Sequence, residues 1–383
     1  MSAHSNRDNG NWWRSMDRTS LVAMVMLIVL GLMLAFAASP AATGGPMTEG
    51  DFRYAAKQIA FAAIAVMLLG ATSVLSLRTI KISATVIYIA AVIGSAVALF
   101  AGHEAFGAKR SIELGFLTLQ PSEFLKPGFA VLAAAVLADR EKLIVRKELA
   151  ALIIAAPALL ILIKQPDVGQ TALLIALWGA LLFFNGVSYL WIVALGGVSA
   201  ALGGLAYLLF PHVHHRINQY FDPQQTPYQA GLALKAFAHG GLAGVGPGAG
   251  TVKYHLPEAH SDFIFAVAGE EFGIVLCGLI VILFCVLCVS LLLRSARMSD
   301  PFSKLAGAGL AVVVALQAFI NMGVAVSLLP TKGMTLPFIS YGGSSLFAVA
   351  LTMGFALAVT RQRSKIGEAD CDLFGFLREA QPA

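Results

Sequence analysis

Residues 272–293, FGIVLCGLIVILFCVLCVSLLL, contain no charged side chain, and this stretch decides the fold class. A helix of about 20 apolar residues crosses the hydrocarbon core of a bilayer, so the stretch predicts a membrane span. The chain as a whole agrees, because 58% of its residues are hydrophobic and only 12% are charged. Soluble domains carry about 25% charged residues. The sequence therefore predicts an all-α integral membrane protein.

Nine further apolar stretches bring the predicted number of helical spans to ten. With both termini in the cytoplasm, sixteen of the 26 Lys and Arg residues fall in cytoplasmic segments, as the positive-inside rule requires. This count gives a cytoplasmic N-terminal segment (1–19), a membrane domain (20–360) and a cytoplasmic tail (361–383). The other predicted spans are Ser20 to Ala38, Ile59 to Ser76, Ile82 to Phe100, Phe124 to Leu137, Leu149 to Ile163, Thr171 to Phe184, Leu190 to Phe210, Leu305 to Leu328 and Ser345 to Thr360.

The first span follows a basic segment and precedes small residues, a pattern that cleaved signal peptides share. Its apolar run is longer than the roughly 7–15 residues of a signal-peptide core, so we predict an uncleaved span. None of the four cysteines lies in a segment predicted to be extracytoplasmic. The sequence therefore predicts no disulfide framework.

One connection, residues 211–271, is much longer than the others and is rich in Gly, His and Pro. Long loops in compact proteins are usually functional or disordered. We predict a folded extracytoplasmic cap that carries an amphipathic helix over Tyr228 to Ala238 at the membrane interface. The breaks Gln165-Pro166-Asp167 and Leu336-Pro337 are typical of backbone that lines a wet cavity.

Asp262 is the strongest catalytic candidate, in the segment HLPEAHSDFIF (255–265). Asp262 lies shortly before the span that begins at Phe272, and an acid this close to the bilayer is costly unless it has a task or a partner. Partial desolvation raises the pKa of a carboxylate, which suits a general base working near neutrality. The alternative is an acid that accepts hydrogen bonds from free N–H groups at a helix N-terminus, and Glu258, Glu270 and Glu271 share this ambiguity.

Glu123 and Lys126 lie three residues apart on one face of a predicted helix, so they are expected to form an ion pair. The pair either faces a ligand or serves only the structure. Asp167, directly after Pro166, is either a second functional acid or a backbone cap.

The predicted extracytoplasmic face carries more positive charge than topology favours. A phosphate-bearing ligand would account for this charge, since Arg grips phosphate bidentately and Lys acts as a point charge. Contact with lipid headgroups is the alternative. The basic residues concerned are Lys109, Arg110, Arg216, Lys253 and Lys332.

Three other patterns carry less weight. GVGPGAGTVK (244–253) lacks the Lys-Ser/Thr pair and the preceding strand of a phosphate loop. His212, His214 and His215 lack further metal-ligand spacing, so no metal site is predicted, although a divalent cation could screen a phosphate-bearing ligand. Gln317 and Asn321, four apart in one span, predict hydrogen bonds between helices.

Several of these segments together resemble the SEDS (shape, elongation, division and sporulation) family of glycosyltransferases. The resemblance follows the chain in order over nearly its whole length, and residues 330–333 resemble the division branch more than the rod-elongation branch. Ser111 and Ala249 depart from the family pattern, which commonly has Trp and a charged residue there. The segments are Lys109-Arg110, LQPSEFLKP (119–127), QPDVG (165–169), Tyr228-Gln229, PEAHSDF (257–263), Asn321-Met322-Gly323 and LPTKGMTLPFISYGGSS (329–345).

The resemblance implies a ten-span enzyme of the bacterial inner membrane that polymerises lipid II into glycan strands at the outer face during division. It places the catalytic acid on Asp262. The implied partners are lipid II, a class B penicillin-binding transpeptidase, other division proteins and membrane lipids, with no nucleic acid and no evident cofactor. The implied charged groove consists of Lys109, Arg110, Glu123, Lys126, Asp167, Gln229 and Lys332, to which the charge argument adds Lys253.

Two other functions compete with this interpretation. A lipid II flippase or transporter predicts inverted repeats or polar residues through both leaflets, and the sequence contains no evident repeat. A non-enzymatic division scaffold would leave the Asp262 constellation unexplained.

Overall fold

The computed structural model describes residues 17–43, 52–105, 108–115, 117–139, 146–190, 228–330 and 333–361, together with isolated positions between 193 and 208. Helices dominate these ranges, which confirms the predicted all-α membrane fold. The helices are α1 (Arg18–Thr43), α2 (Arg53–Ser73), α3 (Leu77–Ala101), α4 (Ser122–Ala138), α5 (Lys147–Lys164), α6 (Val168–Phe184), α7 (Tyr228–Gly240), α8 (Ile264–Ala296), α9 (Pro301–Ala325) and α10 (Gly343–Val359).

A small antiparallel sheet, which the sequence did not predict, lies between α3 and α4. It has the order β1 (His103–Ala105), β2 (Ala108–Leu114) and β3 (Leu117–Leu119). Gly115 has φ +69°, a left-handed conformation that glycine adopts without strain, and this allows the tight turn from β2 to β3. Ser344 at the start of α10 joins the sheet to the bundle, because its Oγ donates to Thr118 O at 2.6 Å.

Five of the described helices, α1, α2, α3, α8 and α9, are long and apolar enough to cross a membrane, and α6 and α10 are shorter apolar helices. Nine of the predicted spans fall on α1 to α6 and α8 to α10. The predicted span Leu190 to Phe210 lies largely outside the described residues. The chain is thus a multi-pass membrane protein, and the number of ten spans stays a prediction.

The helices differ in what surrounds them. Residues of α4 and α10 are buried along nearly their whole length, so these helices form the centre of the bundle. By contrast, α3 exposes large apolar side chains such as Val86, Ile93 and Phe100. In a membrane protein such a face contacts lipid, because lipid tails are as apolar as the side chains.

Helix α8 begins earlier than predicted, at Ile264 instead of Phe272. Glu270 and Glu271 were predicted to end the loop 211–271, but both lie within α8 and are buried inside the protein. Gly273 interrupts the helix with φ 75° and ψ −178°, so α8 consists of a short buried segment followed by the apolar stretch. The predicted loop 211–271 therefore ends in helix.

The predicted amphipathic helix over Tyr228 to Ala238 is confirmed as α7, but its apolar face is covered by protein. Ala230, Ala233 and Ala236 are buried, and α7 packs on α8. The two ends of the bundle can now be distinguished. We call the end where α8 and α10 begin the Asp262 end, and the end where they finish the Arg361 end.

Candidate functional site

Asp262 lies in a compact turn that leads into α8. Within this turn, Glu258 O accepts from Phe263 N at 3.1 Å, and Ser261 Oγ donates to a Glu258 carboxylate oxygen at 2.5 Å. Glu258 has φ 55°, which a non-glycine residue adopts only when its surroundings hold it there. The turn therefore fixes the backbone at Asp262.

Residues 333–341, between α9 and α10, run directly beside this turn. Ser340 Oγ donates to Ser261 O at 2.5 Å and Tyr341 N donates to His260 O at 2.9 Å. Asn321 of α9 joins the two segments, because its Nδ2 donates to Asp262 O at 2.8 Å and to Met334 O at 2.5 Å. Asn321 was predicted only to bond between helices, and its link to the Asp262 backbone was missed.

Gly333 allows the second segment to approach the carboxylate. A Cβ atom at this position would lie 2.6 Å from Asp262 Oδ2, which is closer than real Cβ contacts. Only glycine therefore fits here without a shift of the carboxylate. Gly333 belongs to the motif at 330–333, so the sequence marked the position but not its contact.

Asp262 is half-buried, and the pKa of its carboxyl group is raised to about 7. Burial is the main cause, followed by repulsion from the carboxylates of Glu258 and Glu123. Within the described ranges no group donates a hydrogen bond to this carboxylate. A carboxyl group of this kind is poised to exchange a proton near neutral pH.

Three aromatic rings pack beside the turn. The His260 ring lies 4.9 Å from that of Tyr54 and 5.4 Å from that of Tyr341, and the two tyrosine rings lie 5.0 Å apart, measured between centroids. Burial lowers the pKa of His260, and the charge of Glu258 opposes this only in part. Burial thus favours the neutral form of His260, whose ring packs as an aromatic residue. Sequence reasoning did not single out this cluster.

The predicted Glu123–Lys126 pair is present and buried. Lys126 Nζ lies 2.7 Å from Glu123 Oε2 and donates to Gln317 Oε1 at 2.9 Å. Gln317 Nε2 in turn donates to Thr335 in the segment beside Asp262, at 3.2 Å. The pair thus has further hydrogen bonds, which a buried ion pair needs. The predicted bond between helices at Gln317 is confirmed by its contact with α4.

Arg110 and Asp167 form a second polar group at the same end. Arg110 donates from Nε to Gln165 O (3.2 Å) and from a terminal nitrogen to Pro166 O (3.0 Å). Asp167 caps α6, since its Oδ1 accepts from Gln170 N at 3.2 Å. Gln170 Nε2 donates to Glu123 Oε1 at 2.5 Å, so this group is connected to the Glu123–Lys126 pair.

The structure describes only some of the other predicted site residues. Gln229 is half-buried in the first turn of α7. Lys109 lies in β2 beside Arg110. Lys332 and Arg216, and the cluster His212, His214 and His215, lie outside the described residues.

Lys253 does not face the site. Its side chain is fully buried, pairs closely with Glu271 and donates to Ala37 O at 2.7 Å. A lysine enclosed in this way cannot reach a ligand without leaving both partners. We therefore assign Lys253 a structural role and leave it out of the proposed ligand set.

The glycine-rich segment 244–253 is bound by acids of the chain itself. Glu270 accepts from the backbone N–H groups of Thr251 and Val252 at 2.8 Å and of Lys253 at 3.0 Å. Glu271 accepts from Gly248 N at 3.0 Å. The N–H groups that a phosphate would bind are thus occupied by carboxylates, which supports the rejection of a phosphate loop. The two acids bond to this segment and not to their own helix N-terminus.

No group of three or more His, Cys, Asp or Glu residues that could hold a metal ion occurs in the described part of the chain.

Comparison with known proteins identifies the family. Residues 18–365 match the FtsW/RodA/SpoVE family, described as cell cycle protein. The chain is 42% identical to a probable peptidoglycan glycosyltransferase FtsW of Caulobacter vibrioides, covering 96% of this chain and 95% of the relative. It is 35% identical to the protein of the same name in Alkalilimnicola ehrlichii, with 92% and 91% covered.

Two solved structures share the fold. One is a peptidoglycan synthase complex that coordinates polymerization and crosslinking, with 25% identity, a TM-score of 0.76 and coverage of 90% of this chain and 97% of that one. The other is the rod shape determining protein RodA of Thermus thermophilus, with 23% identity, a TM-score of 0.69 and coverage of 92% and 99%. The chain therefore belongs to the FtsW/RodA/SpoVE family of cell cycle proteins, the SEDS family that its motifs resemble.

Proposed function

We propose that this chain is a peptidoglycan glycosyltransferase that polymerises lipid II during cell division, with Asp262 as its general base. The observation that carries the assignment is the carboxylate of Asp262, with a pKa of about 7 and no hydrogen-bond donor among the described residues. A base of this strength is about half ionised at neutral pH, which suits proton transfer from a sugar hydroxyl. The relatives named as peptidoglycan glycosyltransferases support the reaction class.

In the proposed step, Asp262 takes the proton of an acceptor sugar hydroxyl as that oxygen attacks the anomeric carbon of a lipid-linked donor. The new carbon–oxygen bond forms as the bond from the anomeric carbon to the pyrophosphate breaks. The pyrophosphate leaves on its lipid with the bonding electron pair, and Asp262 releases the proton to solvent. The chain itself supplies the base, and the substrates supply both sugars.

Positive charge is needed where the pyrophosphate departs. We assign this role to Arg110, to Lys109, which precedes it in the chain, and to Lys332 of the motif at 330–333. Arg110 already donates to two backbone carbonyls, which holds its guanidinium near the start of α6. Glu123, Lys126, Asp167 and Gln229 complete the proposed groove.

The proposed setting is the division septum, with both termini in the cytoplasm and the Asp262 end outside. A polyprenyl-linked substrate stays in the bilayer, so an apolar body with a charged groove at one end fits its two parts. The similarity to a chain of a complex that coordinates polymerization and crosslinking supports a class B penicillin-binding transpeptidase as the partner.

The test uses the purified full-length chain with its presumed transpeptidase partner and lipid II. Loss of a general base costs about 10²- to 10⁴-fold in rate, so Asp262→Asn and Asp262→Ala should reduce glycan polymer by that factor. The readout is polymer length and amount on a gel. Glu148→Gln is the matched control, because Glu148 is an acid of α5 at the Arg361 end.

Unchanged thermal melting and elution of the variants would show that the loss is chemical. Undiminished polymer from Asp262→Asn would rule out Asp262 as the base. A flippase would instead move labelled lipid II across the liposome membrane and form no polymer. Neither the wild type nor the Asp262→Asn variant would then produce polymer.

A further inference from the structure

A cavity of about 570 Å³ lies at the Arg361 end, far along the bundle from Asp262. Its walls come from the starts of α1, α3 and α9 and the ends of α8 and α10. This volume is within the range of small-molecule sites, about 300–1,000 Å³. Nothing in the proposed reaction uses this cavity.

Three arginines, Arg294, Arg297 and Arg361, line the cavity. Arg294 is engaged, since its Nε donates to Thr360 O at 3.1 Å and its NH1 lies 3.9 Å from Asp17 Oδ1. The Arg297 backbone N–H donates to Arg294 O at 3.1 Å, but the side chains of Arg297 and Arg361 have no hydrogen bond or ion pair with any residue that the structure describes. Two guanidinium groups are therefore available to an anion.

The two acids of the cavity are turned toward the protein. Asp17 accepts from Ser20 Oγ at 2.5 Å and Ser290 Oγ at 2.6 Å. Asp300 caps α9, accepting from Ser303 N at 2.9 Å and Ser303 Oγ at 2.7 Å. Burial raises the pKa of Asp17, but the hydroxyls of Ser20 and Ser290 and the charge of Arg294 outweigh it and hold this pKa below its usual value. The acids are thus satisfied without Arg297 and Arg361.

Positive charge alone at this end would be explained by the positive-inside rule. That rule acts on loop charge and requires no concave site. The additional observation is that the side chains of Arg297 and Arg361, which have no partner among the described residues, line a cavity at the ends of five helices, whereas Lys304 does not line it. Basic pockets between helices on the cytoplasmic side are known to suit lipid phosphates.

We propose that this cavity binds a phosphate group, held bidentately by Arg297 and Arg361. The ligand class is a phosphate mono- or diester. Its position at the helix ends favours the headgroup of an anionic phospholipid of the cytoplasmic leaflet, and a soluble phosphate of the cytoplasm is the other source.

The lipid arm of the test places the full-length protein in nanodiscs of phosphatidylcholine with phosphatidylglycerol. Lipid retained after detergent extraction is counted by native mass spectrometry. One arginine near a membrane surface contributes about fivefold to affinity for anionic lipid. The double variant Arg297→Gln/Arg361→Gln should therefore retain at least about fivefold less phosphatidylglycerol, whereas the exposed control Lys304→Gln should match the wild type.

The soluble arm uses nanodiscs of phosphatidylcholine alone and titrates inorganic phosphate while thermal melting is recorded. Stabilisation of the wild type but not of the double variant, without lipid retention, assigns the site to a soluble phosphate. The variant Arg297→Lys/Arg361→Lys keeps the charge but loses bidentate bonding. Its phosphate binding should fall between that of the wild type and that of the double Gln variant.

Equal retention by wild type and double variant, with no effect of inorganic phosphate, would overturn the proposal. An equal loss in Lys304→Gln would also overturn it, because the effect would then be general surface charge. Failure of the Gln variant to fold leaves the Lys variant to decide, since it preserves the charge at both positions.

Discussion

The pKa of Asp262 is raised to about 7 by burial and by two neighbouring carboxylates, those of Glu258 and Glu123. Glu258 is the nearer of the two in sequence. Its carboxylate raises the pKa of Asp262 by repulsion, second only to burial. A base must be ionised to act, so polymerisation should rise with pH, reach about half of its maximum near pH 7 and level off about one unit above that. Glu258→Gln removes the repulsion and should lower the pKa of Asp262.

The acid limb of the kcat/KM profile should then move to lower pH. A shift of about half a unit raises the rate at pH 6, relative to the plateau, by up to threefold. The amide can still accept from Ser261, so the turn is preserved. Glu148→Gln should leave the profile in place, and an unmoved acid limb in Glu258→Gln would contradict the electrostatic explanation.

Individual residues were predictable where one physical rule governs them. The spacing of Glu123 and Lys126 was enough to predict their pair, and an acid next to a span was enough to single out Asp262. Lys253 shows the limit of that reasoning. Its charge suggested an anionic ligand, but the anion is Glu271, and the sequence does not show that the two meet.

At the scale of elements, the break in α8 at Gly273 determines how the glycine-rich segment packs. Gly273 has φ +75°, and a Cβ there would lie 2.2 Å from Leu242 O. Gly273→Ala should therefore destabilise the protein by about 1–3 kcal/mol, the usual cost of a strained backbone. The measurement is the melting temperature of the purified protein in detergent.

Gly278→Ala, one turn further along the same helix, is the matched control. A Cβ at Gly278 meets nothing within 4 Å, so this change should keep or slightly raise the melting temperature. Equal melting of both variants would show that the break at Gly273 is not required.

Helix positions were largely predictable from apolar runs, whereas helix ends were not. The start of α8 was placed at Phe272 because Glu270 and Glu271 look like loop residues, and their burial depends on N–H groups from a distant segment. The β-sheet was missed for a similar reason. Its strands β1 and β3 have only three residues each, too few for an alternating pattern to be recognised.

For the whole molecule, orientation in the membrane is the prediction with the widest consequences. The charge bias predicts that the Arg361 end faces the cytoplasm. On a background without the four native cysteines, Ala249→Cys should react with an impermeant maleimide in intact spheroplasts. Ser299→Cys should react only after the membrane is opened. Both positions are exposed, so accessibility alone does not separate them. The reverse pattern would invert the topology.

The class of the molecule followed from composition, because 12% charged residues cannot cover a soluble protein of this length. The meeting of distant segments at the Asp262 end could not be predicted in the same way. Asn321 binds the Asp262 backbone and that of Met334, and this contact depends on how α8, α9 and the start of α10 are arranged.

The ion pair in α4 also bears on how the chain enters the bilayer during synthesis. Glu123 and Lys126 are one turn apart on a single helix, so they can neutralise each other before any other helix has been made. Had the two charges been on different helices, each would have been inserted alone, and an unpaired charge in a span opposes insertion. Helix α4 can instead pass from the translocon into lipid with its charges already paired, and Gln317 and Gln170 join the pair as later helices arrive.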